Sequence, residues 1–151
     1  MHYIILAALW VIASIMQIVI VKFPVVETLL VNFLVINIGI SGLFAFMGHA
    51  FRSNKVAQYI GWPSGNPFQF EVAIANLSFG ILGILCIWIK DNFLIATVIG
   101  YSIYAFGAAY GHIREIIKNK NKAPGNAGPP LYADIIKPLI VIGLLVAYLL
   151  T

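Results

Sequence analysis

The sequence predicts an all-α fold, a polytopic transmembrane bundle of about five helices in a single domain over residues 1–151, and three observations carry that prediction. Of the 151 residues, 62% are hydrophobic and 9% charged, with a mean hydropathy of +0.98. A soluble domain is typically about a quarter charged, so this chain could not cover a water-facing surface. The apolar residues fall in five long runs, and the gaps between them hold most of the basic residues and the turn formers.

The first span covers 3–21; at 1.5 Å per residue it reaches roughly 28 Å, enough for a hydrocarbon core of ~30 Å with its flanks. No Lys or Arg precedes its apolar run, so it reads as a span rather than a cleaved signal. Lys22-Phe23-Pro24 ends it, with Pro24 suited to the first turn of the next helix. The second span, 28–50, then forms an antiparallel hairpin with the first. In the connection 51–66, Ser53-Asn54 is expected to cap a short helix ending at Gly61. Its Val56, Tyr59 and Ile60 share a face, and with Trp62 it suits the membrane interface.

Asn66-Pro67-Phe68-Gln69 marks a helix start, with Asn66 as N-cap, Pro67 as first helical residue and Gln69 as capping-box partner. The third span is 68–89, Lys90-Asp91-Asn92 forms a tight turn, and the fourth span is 93–113. The connection 114–134 ends in Ala-Pro-Gly-Asn-Ala-Gly-Pro-Pro, which is loop chemistry. The fifth span, 135–150, is the shortest and could instead be re-entrant; Pro138 falls in its first turn, where a missing N–H costs little.

Five crossings put Arg52, Lys55, Arg114, Lys118, Lys120, Lys122 and Lys137 on one side, against Lys22 and Lys90 on the other. The positive-inside rule then predicts a multi-pass protein of the cell membrane with a cytoplasmic N-terminus and an external C-terminus. The net charge of +4 is a topology signal, and no nucleic-acid partner is expected. Cys86 is the only cysteine, which excludes an intrachain disulfide and a cysteine zinc site. His2 reads as an exposed terminus.

Polar residues at membrane depth face protein or water. Trp10, Ser14 and Gln17 form one line, and Asn37, Ser41, Ala45 and His49 another at steps of four. Asn76, Gly80 and Gly83 share a face of the third span, beside the line of Glu71, Ala75 and Ser78. Helix packing explains most of these. Gly107 and Gly111 stand in G-x-x-x-G spacing, a face for a homo-oligomer or a membrane-complex partner.

His49, Glu71, His112 and Glu115 all belong at the cytoplasmic boundary, with His112 and Glu115 on one helical face. As plain structure, Glu71 complements a helix N-terminus, Glu115 pairs with Lys118 or Arg114, and the histidines bond loop backbone. As an acid–base site, Glu71 is a base beside His49 and His112. As a metal site, the weakest of the three, the four could form a shell for zinc or non-haem iron. No zincin, phosphate-loop or nucleophile-elbow motif accompanies them, and no cofactor is indicated.

Gly48-His49-Ala50-Phe51-Arg52, Gly61-Trp62-Pro63, Pro67-Phe68-Gln69-Phe70-Glu71, Gly111-His112-Ile113-Arg114-Glu115 and Ala123-Pro124-Gly125-Asn126-Ala127-Gly128 resemble a family of small, functionally uncharacterised bacterial and archaeal membrane proteins. More distantly, the Gly-Trp-Pro loop leading into a Glu-bearing, Gly-rich helix is similar to DoxX-type membrane proteins. The fifth span and the Asn/Pro/Gly loop depart from that pattern, so it implies no activity here. The resemblance implies that His49, Trp62, Gln69, Glu71, His112, Glu115 and Asn126 line the ligand site. The expected protein is a lipid- or small-molecule-binding accessory protein with a cytoplasm-facing polar pocket. The alternative is a small membrane enzyme for proton transfer or redox chemistry built on Glu71, His49 and His112.

Overall fold

The computed structural model describes residues 2–151; the side chain of His2, read above as an exposed terminus, lies outside that description. Among the described residues all regular structure is helical, and five helices are long and apolar enough to cross a membrane. Helix α1 runs over His2–Met16 and continues as a π-helical stretch, Gln17–Val21. Helix α2 is Val25–Phe51, with a π-helical centre at Leu34–Ile40. The others are α3 (Ser53–Ile60), α4 (Phe68–Leu85), α5 (Asn92–Asn119), α6 (Pro124–Ala127) and α7 (Pro129–Leu149).

Helix α2 is the centre. Its first half packs on α1 and α7, its second half on α4, while α5 packs along α7. The Trp10–Ser14–Gln17 line binds α1 to α2 as the sequence suggested: Trp10 Nε1 donates to the Leu29 carbonyl (3.0 Å) and Asn32 Nδ2 to Ser14 Oγ and Gln17 Oε1 (3.2 and 3.1 Å). The dry core joins Leu30, Phe33 and Leu34 of α2 to Leu94 and Val98 of α5 and Val141 and Leu145 of α7.

The α2–α4 seam is closer still. A Cβ on Gly83 would stand 2.6 Å from the Gly39 nitrogen and the Leu34 oxygen, and one on Gly42 would stand 2.7 Å from the Asn76 carbonyl. Side-chain-free positions let backbones meet here, as small residues do between membrane helices. Helices α4 and α5, joined by a tight turn, meet through Phe79, whose ring lies 5.9 Å from that of Tyr101 and 5.2 Å from that of Tyr104.

Several boundaries differ from the expected ones. Helix α4 stops at Leu85 rather than 89, because the chain tightens to bonds from Ile87 to Ile84 and from Trp88 to Leu85. Helix α5 continues to Asn119, with the charged stretch from Arg114 still helical. Helix α7 begins at Pro129, not 135: Pro129 and Pro130 occupy its first two positions, where an N–H has no helical partner to lose. Pro138 is therefore inside a 21-residue helix, not in its first turn, and cannot donate to the Asp134 carbonyl one turn back. The short helix α3 is present, without the side-chain cap expected from Ser53 and Asn54, and Gly61 ends it at φ 76°. Asn66 Oδ1 accepts from the Phe68 N–H at 2.9 Å, but α4 begins at Phe68 with Pro67, not Asn66, at its N-cap.

The connections after α2 and α5 meet at one end of the bundle, where Asn121 Nδ2 donates to the carbonyls of Ile60 and Gly61 (3.0 and 3.3 Å). At the opposite end Lys90 Nζ lies 3.6 Å from Glu27 Oε1, tying two turns together. The basic residues Arg52, Lys55, Arg114, Lys118, Lys120 and Lys122 belong to the first end. Lys137, counted with them from sequence, does not: it turns into the bundle.

Candidate functional site

The expected cluster divides when the chain folds. Glu71 and Trp62 are exposed, and Gln69, His49 and Glu115 are half-buried. Glu115 is held by Asn119, whose Nδ2 lies 3.0 and 2.9 Å from its two carboxylate oxygens, and not by Lys118 or Arg114. His49 ends the Asn37–Ser41–Ala45 line but is not in the wall of the cavity those three line. Among the described residues no three His, Cys, Asp or Glu side chains are placed to hold a metal ion, so the four-residue shell does not assemble.

Trp62, His112 and Asn126 do come together. Asn126 is fully buried, and its Nδ2 donates to the carbonyls of His112 (3.2 Å) and Asn121 (3.0 Å). Turning that amide over would aim its oxygen at both carbonyls, so the orientation is set. Its Oδ1, 2.8 Å from His112 Nδ1, must then be accepting, and Nδ1 carries the hydrogen. The Trp62 ring covers the imidazole, with centroids 5.9 Å apart. His112 Nε2 faces Asp134 Oδ2 at 3.8 Å. A proton on either member makes that contact attractive; with none, a lone pair would face a carboxylate.

Asp134 opens the part of the site that the sequence reading missed. With Lys137, three residues on, it occupies the first half of α7 and lines a polar cavity of ≈ 80 Å³ together with Asn37, Ser41, Asn76, Tyr101 and Tyr104. Lys137 Nζ donates to the Asn37 carbonyl and to Ser41 Oγ, both at 2.8 Å, and lies 5.1 Å from the centre of the Tyr3 ring. The Asn37 carbonyl belongs to the π-helical centre of α2, where widened turns disturb the regular ladder and are often found at functional sites. Asn76 Nδ2 donates to the Tyr104 hydroxyl oxygen at 2.7 Å, leaving the Tyr104 proton available as a donor.

Beside this cavity lies an apolar groove of ≈ 340 Å³ between α1, α2 and α7, whose walls include Ala7, Trp10, Phe33, Tyr132, Ile136 and Ile140. Tyr132 and Ile136 are more than half exposed, so the groove opens at the side of the bundle, where lipid would lie. Tyr3, Asn37, Ala133 and Lys137 stand in the walls of both spaces. Three buried side-chain atoms lack a hydrogen-bond partner among the described residues: Asn37 Nδ2, Thr97 Oγ1 and Ser102 Oγ. Of these, Asn37 is in the walls of the two cavities, and it is 4% exposed. A buried donor left alone costs about 1–3 kcal/mol.

Two charges three residues apart within an otherwise apolar helix were the signal for Asp134 and Lys137. Ending the loop at Asp134 concealed it, because the pair was then divided between a connection and a helix end.

The chain is thus an all-helical bundle of the multi-pass membrane type, with an acid–amine pair lining a small polar cavity beside an apolar groove. Residues 1–149 match a family of unknown function, DUF6790, and the chain belongs to that family. No curated protein and no solved structure matches it, so the similarity of its Gly-Trp-Pro loop to DoxX-type proteins gains no support from them.

Proposed function

We propose that this protein binds a lipid-like small molecule from within the membrane, in the groove between α1, α2 and α7, with the ligand's polar end in the cavity at Asn37 and Lys137. The observation carrying this reading is the adjacency of two spaces that share the walls Tyr3, Asn37, Ala133 and Lys137, one apolar and open sideways, the other polar. Small-molecule sites are mostly apolar, with a few polar groups fixing orientation, and span roughly 300–1,000 Å³; a groove of ≈ 340 Å³ is of that kind. The end bearing Arg52, Lys55, Arg114, Lys118, Lys120 and Lys122 faces the cytoplasm in this reading, by the excess of loop charge. The polar cavity and the His112–Asp134 contact then lie nearer that side.

Ligand retention tests it. Wild type and Ala7→Trp, which fills the groove, are purified in the same detergent, extracted, and compared by mass spectrometry of the extracted lipids. Wild type is expected to retain an amphiphile near one per chain, and the variant to lose it. Identical extracts with nothing near stoichiometric would refute the reading.

A further inference from the structure

Charge is divided unevenly between the two ends of the bundle. At one end Lys22 and Lys90 are matched by Glu27 and Asp91, with Lys90 and Glu27 in contact. At the other, Arg52, Lys55, Arg114, Lys118, Lys120 and Lys122 stand against two carboxylates, Glu71 and Glu115. The remaining acid and base, Asp134 and Lys137, line the cavity within the bundle. We infer that the basic end is a docking surface for anionic phospholipids, whose phosphate headgroups gather around it in preference to zwitterionic ones. Three observations converge on this, and none involves the groove.

The first is that these cations are free. All six basic residues are exposed. Among the described residues the ion pairs are Lys90–Glu27 and His112–Asp134, and none of the six enters one. Glu115, the carboxylate nearest in sequence to Arg114 and Lys118, is held by Asn119 instead.

The second is depth. Helix α5 has 28 residues, roughly 42 Å at 1.5 Å per residue, against a hydrocarbon core of ~30 Å. Counted from Asn92, about twenty residues cross that core, so its far boundary falls near His112. Arg114 and Lys118 therefore stand at headgroup depth, where a phosphate is the first anion they meet. Exposed Tyr59 and Trp62 at the same end are rings suited to that level.

The third is that the cations form one surface. The Asn121 amide holds the end of α3, and a Cβ on Gly125 would stand 2.6 Å from Tyr59 Cδ1. Lys55 on α3 is thereby fixed in one layer with the stretch that carries Lys120 and Lys122. Clusters of on the order of 4–8 Lys and Arg beside a membrane helix attract anionic lipid.

The purified full chain, in detergent, is equilibrated with an equimolar mixture of phosphatidylglycerol and phosphatidylcholine of the same acyl chains. The lipids retained are counted by mass spectrometry. At about 0.1 M salt wild type is expected to retain at least about fivefold more phosphatidylglycerol, the contribution of one basic residue near a surface. At about 1 M salt, where screening acts within about 3 Å, the two should approach parity. The triple variant Lys118→Gln, Lys120→Gln, Lys122→Gln should lose most of the preference, and Lys22→Gln at the opposite end should keep it. Equal retention by wild type at the lower salt overturns the inference, and that comparison needs no variant to fold. A preference unchanged at the higher salt overturns it by showing that charge is not the cause. A loss in Lys22→Gln as large as in the triple variant overturns it by removing the preference from this end. Inorganic phosphate displacing the bound phosphatidylglycerol overturns it in favour of a free anion.

Discussion

The two sides of α2 are built on opposite plans. Toward α4, Gly42 meets Gly80 and Gly83 meets Gly39, and neither Gly42 nor Gly83 has room for a single added carbon. Toward α5 and α7, Asn37 and Ser41 meet Lys137, Asp134 and Tyr104 across a hollow, with the Phe79 ring of α4 against Tyr104 in its wall. Close backbone contact leaves nothing to match except shape, and it matches. Long polar side chains around a space must match donors to acceptors, and the Asn37 amide nitrogen goes unmatched. The seam is thus a contact of shape, and the hollow one of polar chemistry.

The largest effect should come from the seam. Gly83→Leu drives a side chain into the Gly39 nitrogen and the Leu34 carbonyl, backbone atoms that cannot rotate away. Overpacking ordinarily costs about 1–3 kcal/mol, and this substitution should exceed that range because backbone must move. Thermal unfolding in detergent should show a loss of folded protein at temperatures where wild type is intact. A wild-type melting curve would mean that α2 and α4 are not in contact.

Next comes Asn126→Asp, which removes the amide hydrogens serving the His112 and Asn121 carbonyls and places a carboxylate oxygen against them. The expected cost is roughly 3 kcal/mol, the upper range for unsatisfied buried groups. Hydrogen exchange should accelerate across 121–128 before the rest of the bundle opens. Exchange rising equally in every helix would show that the His112–Asn126 junction is not a local device.

Lys137→Met acts on the hollow. It removes two hydrogen bonds from an ammonium group and leaves Asp134 without its opposing charge. Hydrogen bonds to charged groups contribute about 1.5–3 kcal/mol, and a loss near 2 kcal/mol is expected. The double variant with Asp134→Asn should recover part of it, since the stranded carboxylate is then gone. Strict additivity of the two substitutions would show that the pair is not coupled through the cavity.

The seam and the hollow were not equally legible in the sequence. Helix count, the Trp10–Ser14–Gln17 line and the Asn76–Gly80–Gly83 face could be read because periodicity reports which residues share a side. The meeting of Trp62 with His112 and Asn126 could be placed at one end of the bundle, since topology alone brings those segments there. What could not be read is orientation about a helix axis near its end. His112 and Glu115 share a general face, yet one turns to Asn126 and Asp134 and the other outward to Asn119. Glu71 begins a helix at the right end but on the exposed side. Lys137 counts with the loop charges in the sequence because Pro129-Pro130 reads as loop, which puts Lys137 in the first turn of the fifth span, when the two prolines in fact start the helix.

The smallest effect has its sign reversed. Gly107 and Gly111 carry the G-x-x-x-G spacing that marked them for helix contact, yet a Cβ on either meets no atom within 4 Å outside its own helix backbone. At Gly83 the absence of a side chain is required by Gly39; at Gly107 nothing in the fold requires it. Alanine is the better helix former by roughly 0.8–1.0 kcal/mol, so Gly107→Ala should raise stability by up to about that amount, and Gly83→Ala should lower it. Melting curves of the two variants, recorded over a tenfold range of protein concentration, check this. A concentration-dependent loss at Gly107 would mean that a second chain presses on that face as closely as α4 presses on α2. The spacing motif would then have been right about contact and silent only about which molecule supplies it.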